Sequence, residues 1–162
     1  AGSDEIPLEL KDEIRPGAPK YDPVTGELIR TMEIRTPTAA EAAVPAMREQ
    51  RWGRVVAITS LSVRQPMANL ILSNTARAGA TAFLKTLALE VAEEGVTVNT
   101  LQPGLHRTAR LDALFSDNQL DAMRTGDADD FGAHVAFLCS EAAKFTTGVQ
   151  LHVDGGAYTA LL

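Results

Sequence analysis

Cysteine occurs once in this chain of 162 residues, at Cys139. One thiol excludes an intramolecular disulfide and any cysteine-based metal cluster, and it makes a reducing cytoplasm the default compartment. Basic side chains are in deficit: fifteen Lys and Arg stand against twenty-one Asp and Glu, a formal net charge of -6. A surface that holds phosphates needs the opposite balance, so no nucleic-acid partner is expected. No apolar run approaches the ~20 residues of a membrane span, and the opening residues AGSDEIPLELKDE are acidic with no apolar leader core, so no membrane partner is expected. Histidine is scarce too. His106, His134 and His152 lack metal-ligand spacing, and the acidic stretch at Asp112, Asp117, Asp121, Asp127, Asp129 and Asp130 lacks the twelve-residue calcium-loop pattern. No metal is expected.

What is present divides into two unlike parts. Residues 1–36 hold four prolines, mixed charge and no sustained helical period, and read as an arm or extension; residues 20–29, KYDPVTGELI, read as a small hairpin turning at Pro23 and Gly26 or as an irregular strap. Residues 37–162 alternate helix and strand. The alanine-rich stretch 37–50 favours helix, with Pro45 as a kink and Trp52-Gly53 as a break. The β-branched run 55–58 predicts a strand buried on both faces. Residues 70–94 are the longest periodic segment, with Leu72, Ala76, Ala80, Phe83, Leu84, Leu87 and Val91 at spacings of three and four, stopped by Gly95. A second buried strand begins at 96–99, a helix spans about 127–140 with Cys139 as a small core residue, and a third strand lies near 150–153. Strands separated by helices rather than by hairpin turns predict an α/β fold with a parallel sheet and right-handed crossovers.

Three motifs in this order carry a family resemblance. GRVVAITS (53–60) ends a strand on serine, GVTVN (95–99) runs into Pro103-Gly104, and TGVQLHVDGG (147–156) closes the chain's last strand. Residues 53–108 and 126–156 thereby resemble the short-chain dehydrogenase/reductase family, over roughly two thirds of the chain. The resemblance implies a partial Rossmann-like fold, an oxidoreductase acting with NAD or NADP on a carbonyl or alcohol, and a cofactor loop PG-x-x-x-T at Pro103, Gly104 and Thr108. It also implies that the helices at 37–50 and 70–94 pack against counterparts in a dimer. The segment 105–126 would hold a short substrate lid.

Two departures qualify that expectation. No G-x-G occurs anywhere, so the glycine turn that opens the family's N-terminal nucleotide-binding half has no counterpart, and weak or absent dinucleotide binding by this chain alone is expected. The family also places a tyrosine thirteen positions after its serine and a lysine four beyond. Counting from Ser60 reaches Ser73 and then Arg77. They lie one helical turn apart and face the same way, but an aliphatic hydroxyl is a far weaker acid than a phenol, and arginine stays protonated. Ser60, Ser73 and Arg77 are the candidate catalytic residues. Their rival roles are a loop-tying serine, a packing or capping serine, and a surface cation bonded to a carboxylate. Pro-Gly alone would be an ordinary strand exit, and His106 a solvated loop histidine. Two functions follow: a divergent oxidoreductase whose missing half comes from elsewhere, or a degenerate, non-catalytic binding or interface module. The expected partner is a second copy or a complementing nucleotide-binding half.

Overall fold

The computed structural model describes residues 36–114 and 116–161. The arm at 1–36, including the hairpin expected at 20–29, lies almost wholly outside the described residues. Helix α1 (Thr36–Glu49) leads to strand β1 (Gly53–Ile58), and helix α2 (Ile71–Val91) leads to β2 (Val96–Pro103). Two short helices, α3 (Ala109–Leu114) and α4 (Asp117–Asp121), precede α5 (Ala128–Cys139) and β3 (Gln150–Val153). The three strands form one parallel sheet in the order β1-β2-β3, as their separation by helices predicts.

Alternation along β2 sorts the core into two layers. Val96 and Val98 pack with Ala40 and Val44 of α1 and with Leu84, Ala88 and Val91 of α2. Leu101 points the other way, into a cluster with Leu138 and Ala143 that Val56, Phe131, Val135 and Leu151 border. β2 therefore has helices on both faces and strands on both edges, and seven of its eight residues are buried. The expectation that 55–58 is equally buried fails: Val55, Val56 and Ala57 are half-buried and Ile58 is 56% exposed. β1 has a strand neighbour on one edge only among the described residues, so the layers end beside it.

Helix phase corrects two further expectations. Phe131, Val135 and Leu138 meet the sheet at spacings of four and three. Cys139 stands a further 100° round the helix and is exposed, not a core residue. Leu72 is 39% exposed, because the buried stripe of α2 runs through Ala76, Ala80, Leu84, Ala88 and Val91. The stop at Gly95 holds. Its φ is 78°, and a Cβ there would lie 2.1 Å from the Arg51 carbonyl oxygen.

Two polar devices close the structure. Asn99, fully buried, donates through Nδ2 to the Thr146 carbonyl (2.8 Å) and accepts at Oδ1 from the Val149 amide (3.1 Å). Thr147 Oγ1 accepts from the Val98 amide (3.1 Å), and the Gly148 amide donates to the Val98 carbonyl (2.8 Å). Together they fasten the 146–149 loop to β2. At the opposite end of β3, Asp154 accepts from the amides of Gly156 (2.9 Å) and Tyr158 (2.8 Å). Burial pushes the Asp154 carboxyl up, but those two amides and the nearby His152 outweigh it and hold it below the usual carboxylate range.

Asn99→Ala leaves a part-buried amide and a part-buried carbonyl without this partner and should cost about 1–3 kcal/mol, read as a lower urea midpoint at unchanged slope. A carboxyl with a depressed folded value contributes stability above its unfolded value, near 3.9, that is lost as pH falls through the folded value. The amide shifts of Gly156 and Tyr158 should therefore titrate with a midpoint below ~3.9, and Asp154→Asn should abolish that transition.

Candidate active site

The carboxyl ends of β1 and β2 lie side by side, and the loops that leave them hold the candidate residues. Thr59 is buried and continues the ladder, its amide donating to the Leu101 carbonyl at 2.8 Å. Ser60 follows in extended backbone and caps the 3-10 turn Leu61–Val63, its Oγ accepting from the Ser62 amide at 3.1 Å. A serine tying down its own loop is thus part of what Ser60 does. Its hydroxyl proton is not consumed by that bond.

Ser73 and Arg77, half-buried on the first turns of α2, face the same way as the spacing predicts. Arg77 Nε donates to Ser73 Oγ at 3.2 Å, and Nη1 donates to the carbonyl oxygen of Thr59, the residue before Ser60. The guanidinium fork therefore joins the helix to the exit of β1. This corrects the surface-cation alternative: the oxygens that Arg77 binds among the described residues are neutral, a hydroxyl and a carbonyl. Ser73 is not the helix cap either, since that position is Leu70. Ser73 keeps its own O–H to donate, while its oxygen is already an acceptor for a cation. Such a pair can hold a carbonyl or alkoxide oxygen by charge-assisted hydrogen bonding. It is a poor proton source.

Pro103 and Gly104 end β2 against β3. Pro103 pairs with Val153, and the Gly104 amide donates to the Val153 carbonyl at 3.0 Å. A Cβ on Gly104 would lie 2.7 Å from Asp154 Cα, so close packing of this exit on the β3 turn demands glycine. His106 is half-buried rather than solvated: Nδ1 lies 3.3 Å from the Gly104 carbonyl, and the ring meets Phe131 edge-on at 5.0 Å. The loop is pinned again where Gly126 bonds to the backbone of Leu105 and Arg107. Thr108 immediately precedes α3, its carbonyl accepting from the amides of Leu111 (2.8 Å) and Asp112 (3.0 Å). Among the remaining candidates, His134 is exposed on α5 and its ring meets the Asp130 carbonyl. His152 stacks on Tyr158 at 4.5 Å. No group of three or more potential metal ligands exists among the described residues.

The structure adds residues that spacing did not reveal. Thr59 supplies the carbonyl that Arg77 holds. Gln102, wholly buried, donates from Nε2 to Gln150 Oε1 at 3.2 Å, and its own Oε1 has no partner among the described residues. A signal was available: on the face where Val96 and Val98 are apolar, Thr100 and Gln102 turn polar towards the carboxyl end, where open α/β sheets bind ligands.

A dinucleotide fits this arrangement only in part. The loop from Pro103 to Thr108, which the family resemblance assigns to the cofactor, is held by backbone bonds to Val153 and Gly126. No described residues form a phosphate cradle. α2 opens on Leu70 without a side-chain cap, and α5 opens on Asp127, with Asp129 and Asp130 in its first turn; that carboxylate cluster repels a pyrophosphate.

Comparison with known proteins agrees with this geometry. A family model described as enoyl-(acyl carrier protein) reductase matches residues 32–158. The chain is 38% identical over 125 residues to the 3-oxoacyl-[acyl-carrier-protein] reductase of Salmonella typhimurium, covering 74% of this chain and 51% of that protein. It is 36% identical over 118 residues to nodulation protein G of Azospirillum brasilense, covering 69% and 48%. It therefore spans about half the length of the curated relatives it matches. Among solved structures, YwfH, an NADPH-dependent reductase involved in bacilysin biosynthesis, superposes with a TM-score of 0.73 at 25% identity, covering 93% of this chain and 66% of that one. A Thermus thermophilus protein, TT0495, gives 0.68 at 30%, covering 76% and 56%. With its parallel sheet, its serine-ended strand and its Pro-Gly exit in the family's order, the chain belongs to the short-chain dehydrogenase/reductase family of oxidoreductases.

Proposed function

We propose that this chain is the substrate-side half of a divergent NAD(P)-dependent oxidoreductase acting on a carbonyl or alcohol. The observation that carries the reading is the guanidinium of Arg77, which joins Ser73 to the peptide preceding Ser60. Three polar groups are thereby organised at the carboxyl ends of two parallel strands, where this fold does its chemistry. Arg77 fixes the helix against the strand, Ser60 and Ser73 offer hydroxyl donors to one substrate oxygen, and Pro103, Gly104 and Thr108 shape the loop on the cofactor side. Hydride chemistry itself comes with the dinucleotide, whose phosphates need a glycine-rich turn outside the described residues.

A second reading, a degenerate binding or interface module, is favoured by Ser73 at the position where the family carries tyrosine. A weak acid there removes the ~10²–10⁴-fold contribution of a tuned general acid. In either reading the edge of β1 that has no strand neighbour among the described residues needs a cover. Backbone donors and acceptors beside Val55 and Val56 otherwise offer an aggregation template. The hairpin at residues 20–30 folding back, a complementing nucleotide-binding half or a second copy of the chain would supply it, in a cytoplasmic assembly.

Three measurements check these statements. The isolated chain should bind NADPH more weakly than micromolar, followed by cofactor fluorescence; tighter binding would show a phosphate site within it. Light scattering coupled to size exclusion at micromolar concentration should give a mass above that of the monomer. With the nucleotide-binding half present, Ser73→Tyr combined with Arg77→Lys should raise carbonyl reduction at least about tenfold, a fraction of what a positioned acid contributes. An unchanged rate would favour the non-catalytic module.

A further inference from the structure

Asn74 Oδ1, Gln102 Oε1 and His152 Nε2 are buried without a hydrogen-bond partner among the described residues. Gln102 and His152 are register partners on adjacent strands. Leu101, Leu151 and Val153 point to the α5 side of the sheet, so alternation turns Gln102 and His152 to the α2 side. Helix α2 runs back over that side. Leu84, Ala88 and Val91 meet Val96 and Val98, and Thr81 lines a small gap with Thr100 and Gln150. Asn74 stands two turns before Thr81, on the same line along the helix. Those two turns, ~10.5 Å, match about three residues of strand. Asn74 is thereby carried from the level of Thr100 and Gln150 to the level of Gln102 and His152.

Each group is fixed by its other bonds. Asn74 Nδ2 donates to the Met67 carbonyl at 2.9 Å and Gln102 Nε2 donates to Gln150 Oε1 at 3.2 Å, which leaves both amide oxygens over as acceptors. The His152 ring stacks on Tyr158 at 4.5 Å with Nδ1 4.0 Å from Asp154 Oδ2, which leaves Nε2 over as well. No direct hydrogen bond joins these three atoms. Buried acceptors beside a possible donor, with no direct bond between them, are the arrangement that one water bridges. A metal ion matches less well, because two neutral amide oxygens and one imidazole bring no negative charge to offset its desolvation.

We propose that Asn74, Gln102 and His152 hold one buried water, which donates to the two amide oxygens and accepts from His152 Nε2–H. Three bonds are the ordinary complement of such a water. A neutral imidazole carries its proton on one nitrogen only, so the site selects the Nε2–H tautomer. The water joins the three elements that bound the candidate active site. Asn74 follows Ser73, Gln102 precedes Pro103, and His152 leads into the Asp154 turn that packs on Gly104. These are positioning residues: through the water they set the first turns of α2, and Ser73 with them, against the exits of the strands.

NMR of the full chain at neutral pH tests this without any substitution. The His152 ring should carry its proton on Nε2, and its Hδ2 and Hε1 should give cross peaks with water of opposite sign in NOESY and ROESY experiments, the mark of a long-lived bound water. An Nδ1–H tautomer, or a ring without those peaks, would overturn the site. Gln102→Leu should remove the peaks, lower the folding equilibrium constant roughly five- to 150-fold, and shift the Ser73 amide. A Ser73 amide that stayed in place would overturn the positioning role. Asn74→Leu should lose a similar factor, and because both changes release the same water, the double variant should lose little more than the larger single loss. Losses that multiply would show two independent groups and no shared water. Should the variants not fold, the tautomer and the water peaks of the unmodified chain decide by themselves.

Discussion

Because β2 has strands on both edges and helices on both faces, each polar group it carries must be satisfied from inside the protein. That requirement organises everything around it. Asn99 is fully buried and would be an expensive residue in an apolar layer. It is tolerated because its amide completes the hydrogen bonding of the 146–149 loop, and that loop delivers β3 to its register. The parallel register of β3 then sets the position of Asp154 against Gly104. The loop leaving β2 thus depends on a clamp half a strand away.

Polarity rises along the same strand. Near its start, Val96 and Val98 meet apolar stretches of α1 and α2; near its end, Thr100 and Gln102 face the site end of α2. Gln102 Oε1 and His152 Nε2 are buried there without hydrogen-bond partners among the described residues. Polar groups left unpaired in a well-packed sheet cost stability, and proteins retain them where a site needs polar atoms. The gradient aligns the least satisfied part of the core with the strand ends that carry Ser60 and Pro103.

Arg77 ties the first turns of α2 to the exit of β1. Its planar fork reaches two oxygens at once, which a single ammonium cannot do with the same geometry. The helix is held against the exit of β1, with Ser73 Oγ as one of the two acceptors. Arg77 keeps a positive charge beside Ser73, whose aliphatic hydroxyl is a far weaker acid than a phenol.

Much of this was legible in the chain itself. Helix and strand order, the parallel sheet, the bounds of β3 and the stop at Gly95 follow from periodicity and from backbone chemistry that acts over a few residues. Ser73 and Arg77 were placed on one helical face by counting alone. Other features depended on distance in the fold. Cys139 and Leu72 sit in apolar segments yet face outward, because helix phase against a particular sheet is set by packing and not by composition. The partial exposure of β1 depends on which strands are beside it. Glycine at 104 is required by Asp154, fifty residues later, and Arg77 is anchored by a carbonyl eighteen residues earlier. Local propensity is written residue by residue, whereas these contacts join segments that only the closed sheet brings within hydrogen-bonding range.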